Sequence, residues 1–138
     1  MRTRFFTSAL FAFGALATAL VTPAIAHHSF AAEFDGSKPI TLKGTVTQID
    51  WANPHVWFYI TVKGDDGRAA RWACEMGAPH QLQQRGWLRD TMKVGDMVTV
   101  AGSLARDGSK RANARLVTTA DGKTLGAASS GEPTTRQQ

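Results

Sequence analysis

The chain has 138 residues, 16 of them Lys or Arg and 11 Asp or Glu, with a formal net charge of +5 and a mean hydropathy of −0.21. This is one domain's worth of chain, enough for a modest core. Its one cysteine, Cys74, excludes an intrachain disulfide, so packing must hold the fold together.

The first 26 residues have the pattern of a secretory signal peptide. Arg2 and Arg4 are a short positive region, and residues 5–21 are apolar or small and carry no charge. Ala24 and Ala26 place small residues at positions −3 and −1 of a cleavage site. We therefore predict export to the periplasm with cleavage after Ala26. A cut after Ala24 and an uncleaved membrane anchor are the alternatives.

Cleavage changes the charge of the protein. Loss of Arg2 and Arg4 leaves 14 basic residues against 11 acidic residues in a mature chain of 112 residues. The mature domain is only mildly basic, and the predicted compartment holds little nucleic acid. We therefore expect no nucleic-acid partner and, after cleavage, no association with the membrane.

The mature chain is predicted to begin with an arm and to continue as a mainly β domain. The arm covers residues 27–40 and is irregular, with Phe30 and Phe34 pinning it onto the domain. Strands are indicated by β-branched residues and by period-2 alternation at residues 41–51, 56–63, 68–76, 97–102 and 112–120. The first strand changes face midway, which predicts a β-bulge.

One helix is predicted between the third and fourth strands. Pro79 suits its first position, Leu82 faces inward and Gly86 suits its C-cap. This element order is that of a five-stranded OB-like barrel, and an open β-roll or sandwich is the alternative. The barrel is assigned to residues 41–125, and residues 126–138 are predicted to be a disordered tail.

Several short segments of the mature chain carry a family resemblance. They are His27-His28-Ser29-Phe30, Glu33-Phe34-Asp35, Trp51-Ala52-Asn53-Pro54-His55, Gly77-Ala78-Pro79, Arg85-Gly86-Trp87 and Arg106-Asp107-Gly108-Ser109. Together they resemble an uncharacterised bacterial family, domain of unknown function 6152, from about residue 27 to residue 125. The resemblance implies an exported, single-domain, β-rich protein and implies no reaction.

His27 is the first candidate for chemistry. When cleavage exposes it, its α-amine and imidazole can chelate a metal, and one further imidazole completes a three-nitrogen histidine brace that favours copper. His55 suits this role because it lies in the first turn between strands, where the arm can fold back. His28 is adjacent, and Glu33 and Asp35 offer oxygen atoms.

The same histidines also have a structural explanation. His27 and His28 are then a solvated chain end, and His55 caps a turn by hydrogen bonding. Cys74 and Met76 suggest Cu(I), but they share a strand face with apolar residues and are predicted to be core residues. His80 is predicted to lie at the surface.

Three aromatic residues form a second candidate site. Trp51, Trp57 and Tyr59 are predicted to line an outer face of the first two strands, where OB barrels often stack ligands. The alternative is that Phe30 and Phe34 of the arm cover this face, because large exposed aromatic patches are unusual without a partner.

Catalytic motifs are missing from the sequence, which has no Ser-His-Asp order, no Gly-x-Ser-x-Gly and no phosphate loop. We predict a non-catalytic periplasmic binding module that holds copper through His27 and His55 and serves an exported metalloenzyme or another periplasmic protein. The first alternative is a metal-free module that recognises a partner protein or small ligand through the aromatic face. The second is an enzyme that uses a braced copper for oxygen chemistry.

Overall fold

The computed structural model describes residues 30–129, so the predicted signal peptide, His27, His28 and residues 130–138 lie outside the described range. Two helices and six strands follow one another in this range. They are α1 (Phe30–Glu33), β1 (Phe34–Asp50), β2 (Trp57–Lys63), β3 (Ala69–Glu75), α2 (Pro79–Gln84), β4 (Met97–Ala105), β5 (Arg111–Thr118) and β6 (Thr124–Gly126). Neither helix is long and apolar enough to cross a membrane.

The first five strands close into a ring. β1 pairs antiparallel with β2 through its second half and with β4 through its first half. β2 pairs with β3 and β4 pairs with β5, also antiparallel. A short parallel pairing between the end of β3 and the start of β5 joins the two edges. With α2 between β3 and β4, the architecture is the predicted OB-like barrel rather than an open roll or sandwich.

β1 serves both halves of the barrel because it bends. Its register with β2 shifts between Val46 and Gln48, which confirms the predicted bulge. Gly44 lies just before the shift, where a Cβ atom would meet the carbonyl oxygen of Thr61 at 2.6 Å. Glycine at this position therefore allows the two strands to approach closely.

The core follows the alternation seen in the sequence. Val56, Phe58 and Ile60 are fully buried, as are Cys74 and Met76. Burial raises the pKa of the Cys74 thiol to about 12, so the thiol stays protonated at neutral pH. The prediction that both sulfur-containing residues belong to the core is confirmed.

The N-terminal arm is more regular than predicted. Residues 34–40 belong to β1 and pair with β4, with a register shift between Asp35 and Pro39. The ring centroids of Phe30 and Phe34 lie 5.9 Å apart, and Phe34 is 1% exposed. The expected pinning of the arm is confirmed at Phe34. The predicted irregular conformation is wrong for residues 30–40, because residues 30–33 form α1 and backbone pairing with β4 extends β1 back to Phe34.

The predicted disordered tail is wrong for residues 126–129. Gly126 ends β6, and the Ala127 N–H donates to the carbonyl oxygen of Arg115 at 2.8 Å. The carbonyl oxygen of Ala127 accepts from the Gly77 N–H at 2.8 Å, and Ala127 is fully buried. Backbone hydrogen bonds of small residues hold this segment in place, and amino-acid composition does not predict such bonds.

Gly102 sits where β4 and β5 approach most closely, and we expect Gly102→Ala to destabilise the barrel. Its added Cβ would lie 2.0 Å from the carbonyl oxygen of Asn113. Because both groups belong to paired backbones, we expect a loss of about 2 kcal/mol in the free energy of unfolding, measured with urea. Gly36→Ala is the control, since its Cβ would meet a Phe30 ring carbon at an ordinary 3.6 Å. Equal stability of the two variants would contradict this account.

Candidate functional site

His55 lies in the loop between β1 and β2, next to the cis peptide bond between Asn53 and Pro54. The loop ends at Val56, whose N–H donates to the carbonyl oxygen of Gly77 at 3.1 Å and whose carbonyl oxygen accepts from the Met76 N–H at 2.8 Å. These two bonds tie the loop to the chain leaving β3. They place the His55 side chain, which is 29% exposed, against the end of that strand.

The partner of His55 is a buried carboxylate. His55 Nδ1 contacts Oε1 of Glu75, the last residue of β3, which is 7% exposed. The amide nitrogen of Asn113 lies 3.5 Å from the other carboxylate oxygen and donates to Ser129 Oγ at 3.1 Å. Asn113 faces Glu75 because the parallel pairing of β3 with β5 sets these two residues in register.

Burial dominates the electrostatics of this cluster. It raises the pKa of the Glu75 carboxyl above its ordinary value of 4.5, and the negative charge of Glu33 raises it further. The contact with His55 and the hydrogen bond from Asn113 oppose this shift. When Glu75 is ionised, His55 donates from Nδ1, and Nε2 is the ring nitrogen that can bind a proton or a metal.

Asn113 carries a further polar atom into the cluster. The residue is fully buried, and its Oδ1 has no hydrogen-bond partner among residues 30–129. Buried acceptors are ordinarily satisfied by protein or ordered water, because an unmet one costs free energy. The cluster of His55, Glu75, Asn113 and Ser129 is therefore a largely buried polar site beside the apolar core of the barrel.

The N-terminal segment is anchored beside this cluster. Arg106, in the loop between β4 and β5, donates its backbone N–H to the carbonyl oxygen of Glu33 at 2.9 Å and its Nε to the carbonyl oxygen of Ala31 at 2.7 Å. Arg111 lies 3.5 Å from the Glu33 carboxylate, which is close enough to Glu75 to influence its pKa. α1 thus docks at the end of the barrel that carries His55.

The structure also shows where the two candidate oxygen ligands, Glu33 and Asp35, and the remaining histidine, His80, lie. Within residues 30–129, no group of three or more His, Cys, Asp or Glu side chains is placed to hold a metal ion. Glu33 and Asp35 engage Arg111 and Arg106, and His80 is exposed on α2 as predicted. Of the three histidines predicted as metal ligands, His27 and His28 lie outside the described residues and His55 lies within them.

The predicted aromatic face is only partly assembled. Trp57 and Tyr59 are half-buried on the outer side of β2, in register with Asp50 and Gln48. Trp51 instead packs against the hydrophobic core. The bulge in β1 explains this difference, because it shifts the residues that follow onto the opposite face.

An arginine occupies part of this outer face. The guanidinium of Arg71 lies 4.3 Å from the ring centroid of Tyr59 and donates to Gln48 Oε1 at 2.8 Å. The amide of Gln48 donates in turn to Asp50 at 2.8 Å. One ring face of Tyr59 is therefore already stacked by the protein itself, which leaves Trp57 as the main aromatic contact surface of the face.

A family model described as a family of unknown function (DUF6152) matches residues 15–114. The chain belongs to this family. No curated protein sequence is significantly similar to it. Among solved structures it is similar to the mitochondrial single-stranded DNA binding protein Rim1 of S. cerevisiae, with 11% identity and a TM-score of 0.47. That match covers 59% of this chain and 92% of Rim1.

The family match confirms the resemblance found in the sequence, and two of the resembling segments in this DUF6152 chain now have a structural role. His55 ends the segment Trp51-Ala52-Asn53-Pro54-His55, and Arg106 begins the segment Arg106-Asp107-Gly108-Ser109. Sequence reasoning did not single out Glu75 or Asn113 as site residues. The available signal was the position of the charged Glu75 between Cys74 and Met76, two predicted core residues, but nothing local indicates its partners.

Proposed function

We propose that this DUF6152 protein is exported to the periplasm, loses residues 1–26 and binds Cu(II) through His27 and His55. His27 contributes its α-amine and imidazole, and His55 contributes Nε2. Three nitrogen ligands in a near-planar arrangement favour Cu(II) over other available metals. The protein then acts as a non-catalytic metal carrier or accessory factor for an exported metalloenzyme or another periplasmic protein.

The contact between His55 and Glu75 is the observation that carries this proposal. A metal-binding histidine commonly donates its second ring N–H to a carboxylate, which orients the ring and makes the ligating nitrogen more basic. The partner of His55 Nδ1 is such a carboxylate, itself buried and held by Asn113.

The docking of α1 supports the same proposal. Three peptide units separate His27 from Phe30, a reach of about 10 Å when fully extended. Glu33, at the other end of α1, lies close enough to Glu75 for its charge to act on that carboxyl. The chain that leads to His27 therefore starts from the same end of the barrel as His55.

The test is a Cu(II) titration of protein recovered from a periplasm, with the mature N-terminus confirmed by intact mass and the site examined by electron paramagnetic resonance. We expect one tight site with nitrogen couplings. One additional alanine before His27 removes the chelating α-amine, and we expect it to weaken binding by at least about 100-fold, since loss of an outer-shell partner alone costs 10–100-fold. Two results would refute the proposal: weak Cu(II) binding whose affinity does not change when this alanine is added, or a mature N-terminus other than His27.

A metal-free interaction module is the second candidate function. It is favoured by Trp57, which is half-buried on the outer side of β2 beside the Arg71 and Tyr59 pair. Such an aromatic surface on the second strand of an OB-like barrel suits a small ligand or partner protein. If this candidate function is correct, Trp57→Ala abolishes ligand binding, and an alanine added before His27 leaves ligand binding unchanged.

A further inference from the structure

We propose that a groove where β1 separates from β2 is a docking site for an extended acidic segment of a partner protein. This β1–β2 groove has a volume of about 530 Å³ and is lined by residues of β1, β2, β3 and β4. Its main lining residues are Lys43, Thr45, Thr61, Lys63 and Met97. The groove lies within residues 30–129 and is independent of the proposed copper site.

The β1–β2 groove forms because β1 leaves β2 and continues beside β4. Pairing between β1 and β2 ends at Thr45 and Thr61, whereas pairing between β1 and β4 runs on to Phe34. β2 continues to Lys63, which pairs with Ala69 of β3 on its other side. Among residues 30–129, the edges of β1 and β2 that face each other are therefore open at this end. Extended peptides bind such edges through backbone hydrogen bonds.

Two ammonium groups set the charge of the groove. Lys43 and Lys63 are exposed, and neither forms an ion pair with any of residues 30–129. No Asp or Glu of this range lines the groove. The two carboxylates that flank lining residues in the sequence, Asp66 and Asp96, already accept backbone N–H groups. An acidic segment therefore meets positive charge without a competing carboxylate inside the groove.

The other lining groups favour a polypeptide over a small anion or a polyanion. Thr45 and Thr61 are half-buried and bring hydroxyl groups that can donate to a carboxylate. Met97 is 49% exposed and offers an adaptable apolar contact. With Lys43, Lys63 and Met97 exposed, the groove is open to solvent and cannot enclose most of a small molecule. A strand that alternates acidic and apolar side chains matches the charge, the apolar contact and the open edges together.

A synthetic peptide tests this site. It alternates Glu and Val over about six residues, the length of a typical strand, and carries a tetramethylrhodamine label. Fluorescence anisotropy measures its binding to protein recovered from a periplasm, with a chelator present so that no metal bridges the two. We expect saturable binding that weakens as the salt concentration rises. Lys43→Gln and Lys63→Gln should each weaken it about 3-fold, and the double variant about 10-fold.

Charge reversal and a matched control make the experiment specific. The double variant Lys43→Glu, Lys63→Glu should lose the Glu-Val peptide and bind the corresponding Lys-Val peptide. Lys123→Gln removes an exposed lysine of the β5–β6 turn and should leave the affinity unchanged. Amide chemical shifts of the unmodified protein, followed by nuclear magnetic resonance, should change at residues 43–45 and 61–63 when the peptide binds.

Three results would overturn the proposal. The first is the absence of saturable binding, or binding that the double glutamine variant does not weaken. The second is a set of chemical-shift changes confined to Trp57 and Tyr59, which would place the peptide on the aromatic face. In the third, the double glutamine variant binds heparin or phosphatidylglycerol vesicles more weakly but keeps its peptide affinity, so that a polysaccharide or a membrane occupies the groove. Urea unfolding checks that each variant is folded.

Discussion

His55→Ala is expected to weaken Cu(II) binding by at least about 100-fold, because it removes one of the three proposed nitrogen ligands, and loss of a residue that only supports a ligand already costs 10–100-fold. In the proposed site Nε2 is the ligating atom, since Nδ1 contacts Glu75. The nitrogen couplings in the electron paramagnetic resonance spectrum should then decrease by one imidazole. Isothermal titration of the mature protein measures the affinity.

Two variants make this experiment specific. His80→Ala removes an exposed histidine on α2 and should leave the affinity unchanged. His55→Gln keeps an N–H group that can donate to Glu75 but takes away the imidazole, so it should lose copper without the structural consequences of alanine. Retained tight binding in His55→Gln would show that His55 is not a ligand.

The alanine variant also has a stability signature. Burial raises the pKa of Glu75 above 4.5, and His55 works against that shift. Without His55 the pKa rises further. A carboxyl whose pKa is raised in the folded state contributes stability that is fully present below its unfolded pKa and is lost as the pH rises through its folded pKa. His55→Ala should therefore lose more stability than the unmodified protein as the pH rises above 4.5, as urea titrations at several pH values would show.

Local patterns in the sequence predicted the barrel because each strand carries its own periodicity. Phe58 and Ile60 alternate with Trp57 and Tyr59, and the structure places the first pair in the core. The bulge in β1 could also be predicted from the sequence, because the apolar residues move from even-numbered to odd-numbered positions within the strand. Turn residues and the position of Pro79 then fixed the order of the elements.

The ends of the barrel depend on partners that are distant in the sequence. β1 begins at Phe34 because β4 pairs with it there, and residues 127–129 are ordered because backbone groups of β5 and of Gly77 bond to Ala127. Neither segment has the composition of a regular element. Backbone pairing of this kind carries no side-chain signature, so a sequence of small and polar residues predicts disorder.

The histidine of the candidate site could be predicted from the sequence, but the residues that hold it in place could not. His55 follows a proline in a turn between strands, which is visible locally. Its contact with Glu75 spans 20 positions, and the hydrogen bond from Asn113 to Glu75 spans 38. The hydrogen bond from Arg106 to the carbonyl oxygen of Ala31 spans 75 positions. Such contacts follow from strand register, which is fixed only when the barrel closes.

Trp87→Ala is expected to lower the free energy of unfolding by about 3–5 kcal/mol, the usual cost of truncating a large buried aromatic residue. Trp87 is fully buried in the core and has no solvent exposure. Its indole Nε1 also donates to the carbonyl oxygen of Gly126 at 2.9 Å. The substitution therefore creates a cavity and leaves a carbonyl oxygen without its partner.

Trp87→Phe separates these two effects. It keeps most of the apolar volume and loses the indole N–H, so we expect a smaller cost of about 1–3 kcal/mol. Leu88→Ala is the matched control, because Leu88 is the next residue and is 63% exposed; its effect should stay within about 0.5 kcal/mol. Urea unfolding measures all three, and similar losses for Trp87→Ala and Leu88→Ala would contradict the placement of Trp87.

Substitution of Trp87 is also expected to affect the candidate site. Trp87 holds Gly126, and the chain continues for three residues to Ser129, whose Oγ accepts from the amide of Asn113. Asn113 in turn supports the carboxylate that orients His55. Trp87→Phe, which is expected to fold, should therefore weaken His55-dependent copper binding modestly, whereas Leu88→Ala should not. The β6 segment thus couples the stability of the barrel to the geometry of the site.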